Sequence, residues 1–138
     1  MEESIIERKR RAAQCGTLAL AYLGDGVIEL LVRERLLCEG ISHPGELVKA
    51  SKNYVTLEAQ SDAVERILPL LSDDENAVFK RGRNVKTHSV PKHGEVVQYR
   101  RATALETLFG YLHMAGLEDR KRELFDAAFP KNSSSDEQ

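Results

Sequence analysis

Tryptophan is absent from the chain, and cysteine occurs only twice, at Cys15 and Cys38. Neither cysteine belongs to a CxxC pair or has a histidine at ligand spacing, so a structural zinc site finds no framework. Two thiols without a disulfide pattern fit a reduced, cytoplasmic protein. Long apolar runs are also missing. No stretch reaches the roughly 18 residues that span a bilayer, so no membrane partner is expected. The opening MEESIIERKRRAAQCG has charge but no apolar signal core, which argues against secretion. Strand-like alternation of β-branched residues is absent, and no sheet is expected. Repeats are absent too. Low complexity appears only in the closing KNSSSDEQ, read as a disordered polar tail over 131–138 behind one domain of residues 1–130.

What remains is an all-α pattern. The 138 residues are 41% apolar and 30% charged, enough for a real core in one domain. Periodicity predicts a charged helix over 4–13 and a long one over Thr17–Cys38, stopped by Gly40. A short helix should run from Pro44 to about Ala50 and a longer one from Lys52 to Leu68, with Pro69 ending it. Ser72-Asp73-Asp74-Glu75 reads as a capping box opening a helix to about Arg81. Residues 82–94, GRNVKTHSVPKHG, read as a loop. Two more helices follow, over Glu95–Ala115 and Leu117–Ala128.

Charge is unevenly spread. The net charge of −2 speaks against a nucleic-acid partner, but residues 80–101 carry Lys80, Arg81, Arg83, Lys86, Lys92, Arg100 and Arg101 against Glu95 alone. That segment is +6, and the remainder is −8. A basic segment on an acidic body can attract a polyanion locally.

The helices over 17–38 and 95–115 are apolar on nearly every face, so both should be central. Each nevertheless contains an acid inside its apolar run: Asp25 in LALAYLGDGVIELLV and Glu106 in ATALETLFGYLHM. A buried carboxylate needs a partner, a proton or a metal. Two acids on neighbouring helices can share one divalent cation, and magnesium suits a few carboxylates plus waters. Gly24 and Gly26 flank Asp25, and Gly110 follows Glu106 by four. Glycines at such a helix-destabilising cost suggest close backbone approach. The alternative is an ordinary ion-pair ladder of Asp25, Glu29 and Arg33 at four-residue spacing.

These residues resemble a known family. LALAYLGDGVIELLVRERLL resembles the signature helix of the ribonuclease III family, whose core is Leu-Gly-Asp and a small residue. KRGRNVK followed by VPKHGEVVQYRRATALETLFGYL resembles its compact bacterial members, the Mini-ribonuclease III type. The resemblance covers about residues 17–128 and implies an all-helical, homodimeric endonuclease that hydrolyses double-stranded RNA with magnesium, manganese being a possible substitute. It assigns Asp25 and Glu106 as catalytic metal ligands, with Thr103 acting through water. Classical members have further acids where this chain has Leu18, Ala21 and Thr103, so fewer direct ligands remain. They also append a double-stranded-RNA-binding domain. This chain ends soon after its last helix, so the nuclease domain is expected to hold its own substrate through Arg81, Arg83, Asn84, Lys86 and Lys92. The Mini type further implies maturation of the large (23S) ribosomal RNA precursor, 5′-phosphate and 3′-hydroxyl products, and a ribosomal protein that shapes the substrate.

Two other functions compete. One is a non-catalytic RNA-binding helical domain associated with ribosome assembly; retention of both acids argues against it. The other is a helical interaction module, which predicts no salt-dependent RNA affinity. His88 and His93 read as exposed loop residues. Tyr54, Gln60 and Tyr99 read as core or interface residues without chemistry.

Overall fold

Ser4 starts the first helix by a reciprocal cap: its hydroxyl accepts from the Glu7 N–H, and the Glu7 carboxylate accepts from the Ser4 N–H, each at 3.1 Å. The computed structural model describes residues 3–86 and 95–131, and all regular structure among them is helical. The helices are α1 (Ile5–Ala13), α2 (Thr17–Cys38), α3 (Pro44–Val55), α4 (Leu57–Ile67), α5 (Asp73–Asn84), α6 (Glu95–Met114) and α7 (Glu118–Ala128). A single 3₁₀ turn at Leu68–Leu70 holds Pro69. Among the described residues, no single helix is long and apolar enough to cross a membrane. Lys92, His88, His93 and most of the 131–138 tail lie outside the described residues.

α6 is the axis of the molecule. From Ala102 to Leu112 every residue is buried except Glu106. It packs against α1, α2, α4, α5 and α7. The core around it is built from Leu20 and Val32 of α2, Val64 and Ile67 of α4, Phe79 of α5 and Leu124 of α7. Its main neighbour is α2, and glycines set the distance between them. A Cβ at Gly24 would overlap the backbone carbonyl of Glu106 and stand 2.9 Å from the Gly110 nitrogen. A Cβ at Gly110 would overlap the carbonyl of Leu20. The expected close approach is therefore met at Gly24 and Gly110. Gly26 is different: a Cβ there meets nothing within 4 Å.

Both expected glycine stops are present. Gly40 (φ 91°) and Gly116 (φ 70°) adopt the left-handed conformation. The amides of Ile41 and Leu117 then bond back to Leu36 and Leu112 at 3.1 and 3.0 Å.

Two boundaries differ from expectation. The break between α3 and α4 falls at Thr56, not near Ser51. The Ser51 hydroxyl donates to the Val48 carbonyl at 2.8 Å and stays inside α3, as a mid-helix serine can. Thr56 is extended, and its hydroxyl caps the Ala59 N–H at 3.2 Å. Further on, α5 continues to Asn84 instead of ending at Arg81. Gly82 is a contact residue there, not a turn: a Cβ would come 2.5 Å from the Thr107 hydroxyl and 2.8 Å from the Ala104 Cα. The capping box at Ser72 and Glu75 forms as expected.

Candidate active site

The close crossing of α2 and α6 sets the geometry of the two acids. Gly24 and Glu106 touch through their backbones, so the neighbouring Asp25 side chain is brought beside the Glu106 carboxyl. The two carboxyl groups are within hydrogen-bonding reach of each other. Burial is the largest influence on Glu106, the charge of Asp25 adds to it, and a hydrogen bond to Asp25 favours the protonated form. Together they push the Glu106 carboxyl up to about 7. A half-buried carboxyl beside a second acid behaves in this way.

Their burial is less than the apolar runs suggest. Asp25 is exposed and Glu106 half-buried. Both open on a cleft of about 660 Å³ between α2, α3, α4 and α6. An apolar run around an acid reports the other faces of the helix; the acid itself takes the one face that reaches the cleft. The ladder alternative is only partly realised. Glu29 and Arg33 pair at 2.7 Å, both rather exposed, and Asp25 is not part of that pair. Among the described residues, no third His, Cys, Asp or Glu groups with the two acids.

Thr103 lies one turn before Glu106 and also lines the cleft. Its hydroxyl donates to the Tyr99 carbonyl at 3.1 Å, leaving the oxygen able to accept from a water in the cleft. Ala21, at the place of one classical acid, is buried, and Leu18, at the place of another, is exposed.

The basic segment divides into two sets. Arg81 is half-buried, and its guanidinium donates to the carbonyls of Ala13 and Cys15 and to the Thr17 hydroxyl, at 2.8, 3.1 and 3.0 Å. It ties the α1–α2 corner to α5. Arg101 pairs with Glu65 at 2.6 Å and donates to Ser61. By contrast Lys80, Arg83, Asn84, Lys86 and Arg100 are exposed.

With this geometry in place, the sequence matches are decisive. Residues 18–116 match the family model of the ribonuclease III domain, and this span includes both acids. The chain belongs to the ribonuclease III family. It is 41% identical over 112 residues to Mini-ribonuclease 3 of Brevibacillus brevis, covering 81% of this chain and 84% of that one. It is 36% identical to Mini-ribonuclease 3 of Enterococcus faecalis, over 90% of this chain and 96% of that one. A crystal structure of a Fusobacterium nucleatum protein superposes with a TM-score of 0.72 at 31% identity, covering 82% of this chain and 90% of that one. This ribonuclease III chain is therefore an endoribonuclease of Mini-ribonuclease 3 type.

One cleft residue has no chemistry in the sequence reading. Gln60 is buried at 6% exposure on the cleft wall with Tyr99, Thr103 and Glu106. The available signal was its place on the inward face of α4: Gln60 shares that face with Ala63, Val64 and Ile67, where an amide is out of place.

Proposed function

We propose that this protein cleaves double-stranded RNA by magnesium-dependent hydrolysis, with Asp25 and Glu106 as the metal-holding pair. The facing of these two carboxyl groups on one cleft wall carries the reading. With the Glu106 carboxyl raised to about 7 beside Asp25, a divalent cation would displace its proton and relieve the repulsion. Magnesium bound there, or manganese in its place, supplies Lewis acidity and lowers the pKa of water. The chain's own residues do the rest. Asp25 and Glu106 give the charge that would hold the ion, and the Thr103 oxygen can accept a hydrogen bond from a cleft water and so orient it. Hydrolysis in this manner leaves 5′-phosphate and 3′-hydroxyl ends.

Substrate binding falls to exposed groups. Arg83, Asn84 and Lys86 at the end of α5, with Lys92 beyond it, contact phosphates of the duplex. Arg81 supports them by fixing α5 and makes no contact of its own. The physiological substrate on this reading is the 23S ribosomal RNA precursor in the cytoplasm, presented with a ribosomal protein.

The active form is a homodimer. Leu18, Tyr22, Leu30 and Leu37 are exposed at 53, 86, 59 and 59% and lie along one stripe of α2. Gly26 sits on the same stripe with open space above it, where the backbone of a second copy can approach. The exposed Glu29–Arg33 pair lies among these residues, and a cluster of exposed large apolar side chains around one ion pair is the composition of an interface. Asp25 borders the stripe, so two copies joined there bring their acid pairs onto one substrate.

A cleavage assay tests the reading. Purified protein meets labelled duplex RNA, single-stranded RNA and duplex DNA, with magnesium or a chelator, beside Asp25→Asn. Magnesium-dependent cutting of duplex RNA that disappears in the variant is the expected result. Full activity in Asp25→Asn would overturn it.

A further inference from the structure

Gln60 is more than nine-tenths buried, yet among the described residues no hydrogen bond satisfies its carboxamide. None of the buried side-chain nitrogens or oxygens among these residues is sealed off without a partner. Gln60 lines the cleft that holds Asp25 and Glu106, so the cleft is where its amide can find a partner. Its neighbours on that wall include Leu57 of α4 and Tyr99, Ala102 and Thr103 of α6. A carboxamide is an unusual choice for a mostly apolar wall, and an apolar residue of the same size would pack there with no polar group to satisfy. The arrangement is understandable if something entering the cleft completes the hydrogen bonds.

The chemistry of an amide limits what that is. A carboxamide offers a donor and an acceptor side by side and carries no charge. A phosphate oxygen accepts only, and it is better served by the cationic groups at the end of α5. A ribose 2′-hydroxyl both donates and accepts. It is the group that duplex RNA displays across its shallow minor groove and that DNA lacks. We propose that Gln60 hydrogen-bonds the 2′-hydroxyl of a nucleotide next to the scissile linkage and so helps this enzyme to select RNA. The inference rests on the proposed cleavage of duplex RNA in this cleft.

The test pairs a substrate change with a residue change. The full-length protein, wild type and Gln60→Leu, is assayed with magnesium on a short RNA duplex carrying one cleavage site. Parallel duplexes carry a single 2′-deoxy substitution at each nucleotide flanking the cut. For the wild type, one of these substitutions should lower kcat/KM by about tenfold, the size of one lost hydrogen bond that leaves its partner unpaired. Gln60→Leu should cut the all-ribose duplex about tenfold more slowly and be indifferent to that same substitution. Gln60→Asn keeps the amide but withdraws it by one carbon, and it should behave like Gln60→Leu, which guards against a folding defect in either variant alone. A wild-type deoxy penalty that persists in both variants overturns the inference, as does a loss of dimer with that penalty retained, which would assign Gln60 to the subunit interface. Wild-type protein that cuts none of the duplexes overturns the nuclease reading, and the inference with it.

Discussion

Glu106 is half-buried beside Asp25 because the glycines at 24 and 110 let two backbones touch. Alanine at Gly24 puts a methyl group where the Glu106 carbonyl stands. Gly24→Ala should lose about 3 kcal/mol or more of unfolding free energy, the upper range for overpacking, as read by urea titration. The raised Glu106 carboxyl has a signed consequence for the metal-free protein. The folded state binds this proton more tightly than the unfolded state does, so its share of stability is full below about pH 4.5. It is lost as pH rises through about 7. Measured in chelator, Glu106→Gln should match the wild-type melting temperature near pH 5 and exceed it near pH 8. Equal pH profiles for the two proteins would show that the Glu106 carboxyl is not raised in the folded state. Magnesium affinity should rise with pH over the same interval, because binding releases that proton.

Arginines secure the ends of the helices, where carbonyls lack partners. Arg8 donates to Ala115 at the end of α6, Arg66 to Ala128 at the end of α7, and Arg81 to Ala13 at the end of α1. Arg35, buried, bonds the Phe129 carbonyl and pairs with Asp126. At the start of α5, Glu75 serves two tasks. It caps Ser72 at 2.9 Å, and it takes a two-pronged bond from Arg120 of α7, both contacts at 2.8 Å. Burial works against its charge, but Arg120 and Ser72 outweigh burial and hold the carboxyl below the usual carboxylate range. Arg120→Ala strands that charge at the α5–α7 contact and should cost about 3 kcal/mol at pH 7. The loss should shrink as pH falls through the lowered Glu75 value, where the carboxyl is neutral. Urea midpoints of both proteins at pH 7 and in acid check this. The capping box was legible from Ser72 and Glu75 because its rule is local. The Thr56 break was not, since serine and threonine can each cap a helix or bond within one, and packing chooses between them.

At the scale of the whole molecule, two surfaces carry consequences. The exposed side of α2 carries Leu18, Tyr22, Leu30 and Leu37 around the Glu29–Arg33 pair, and Tyr22 is the most exposed of the four. If the proposed dimer forms through this face, wild-type protein should sediment as a dimer at micromolar concentration, and Tyr22→Asp should sediment as a monomer with its helical circular dichroism intact. A dimer that survives would move the interface to another face. The basic residues should separate by role. Arg83→Ala, an exposed change, should weaken duplex RNA binding and flatten its salt dependence, since each lost phosphate contact removes released counterions. Arg81→Ala should instead lower thermal stability by unfastening the α1–α2 corner. The sequence treats these two arginines as one set; their positions on α5 differ by two residues, which on a helix points them to different sides.

Helix content, the place of α6 at the centre, the glycine stops and the two acids are all set by features that act within a few residues: apolar periodicity, caps and a carboxylate in an apolar run. The expected burial of α2 on every face is not met, because Leu18, Tyr22, Leu30 and Leu37 are exposed. The pairing of Asp25 with Glu106, the exposure of the one and half-burial of the other, the commitment of Arg81 to backbone carbonyls and the place of Gln60 on the cleft wall depend on which helices cross and how closely. Those contacts join residues far apart in the chain, and they form only when α2 settles on α6 and the other helices close around that pair.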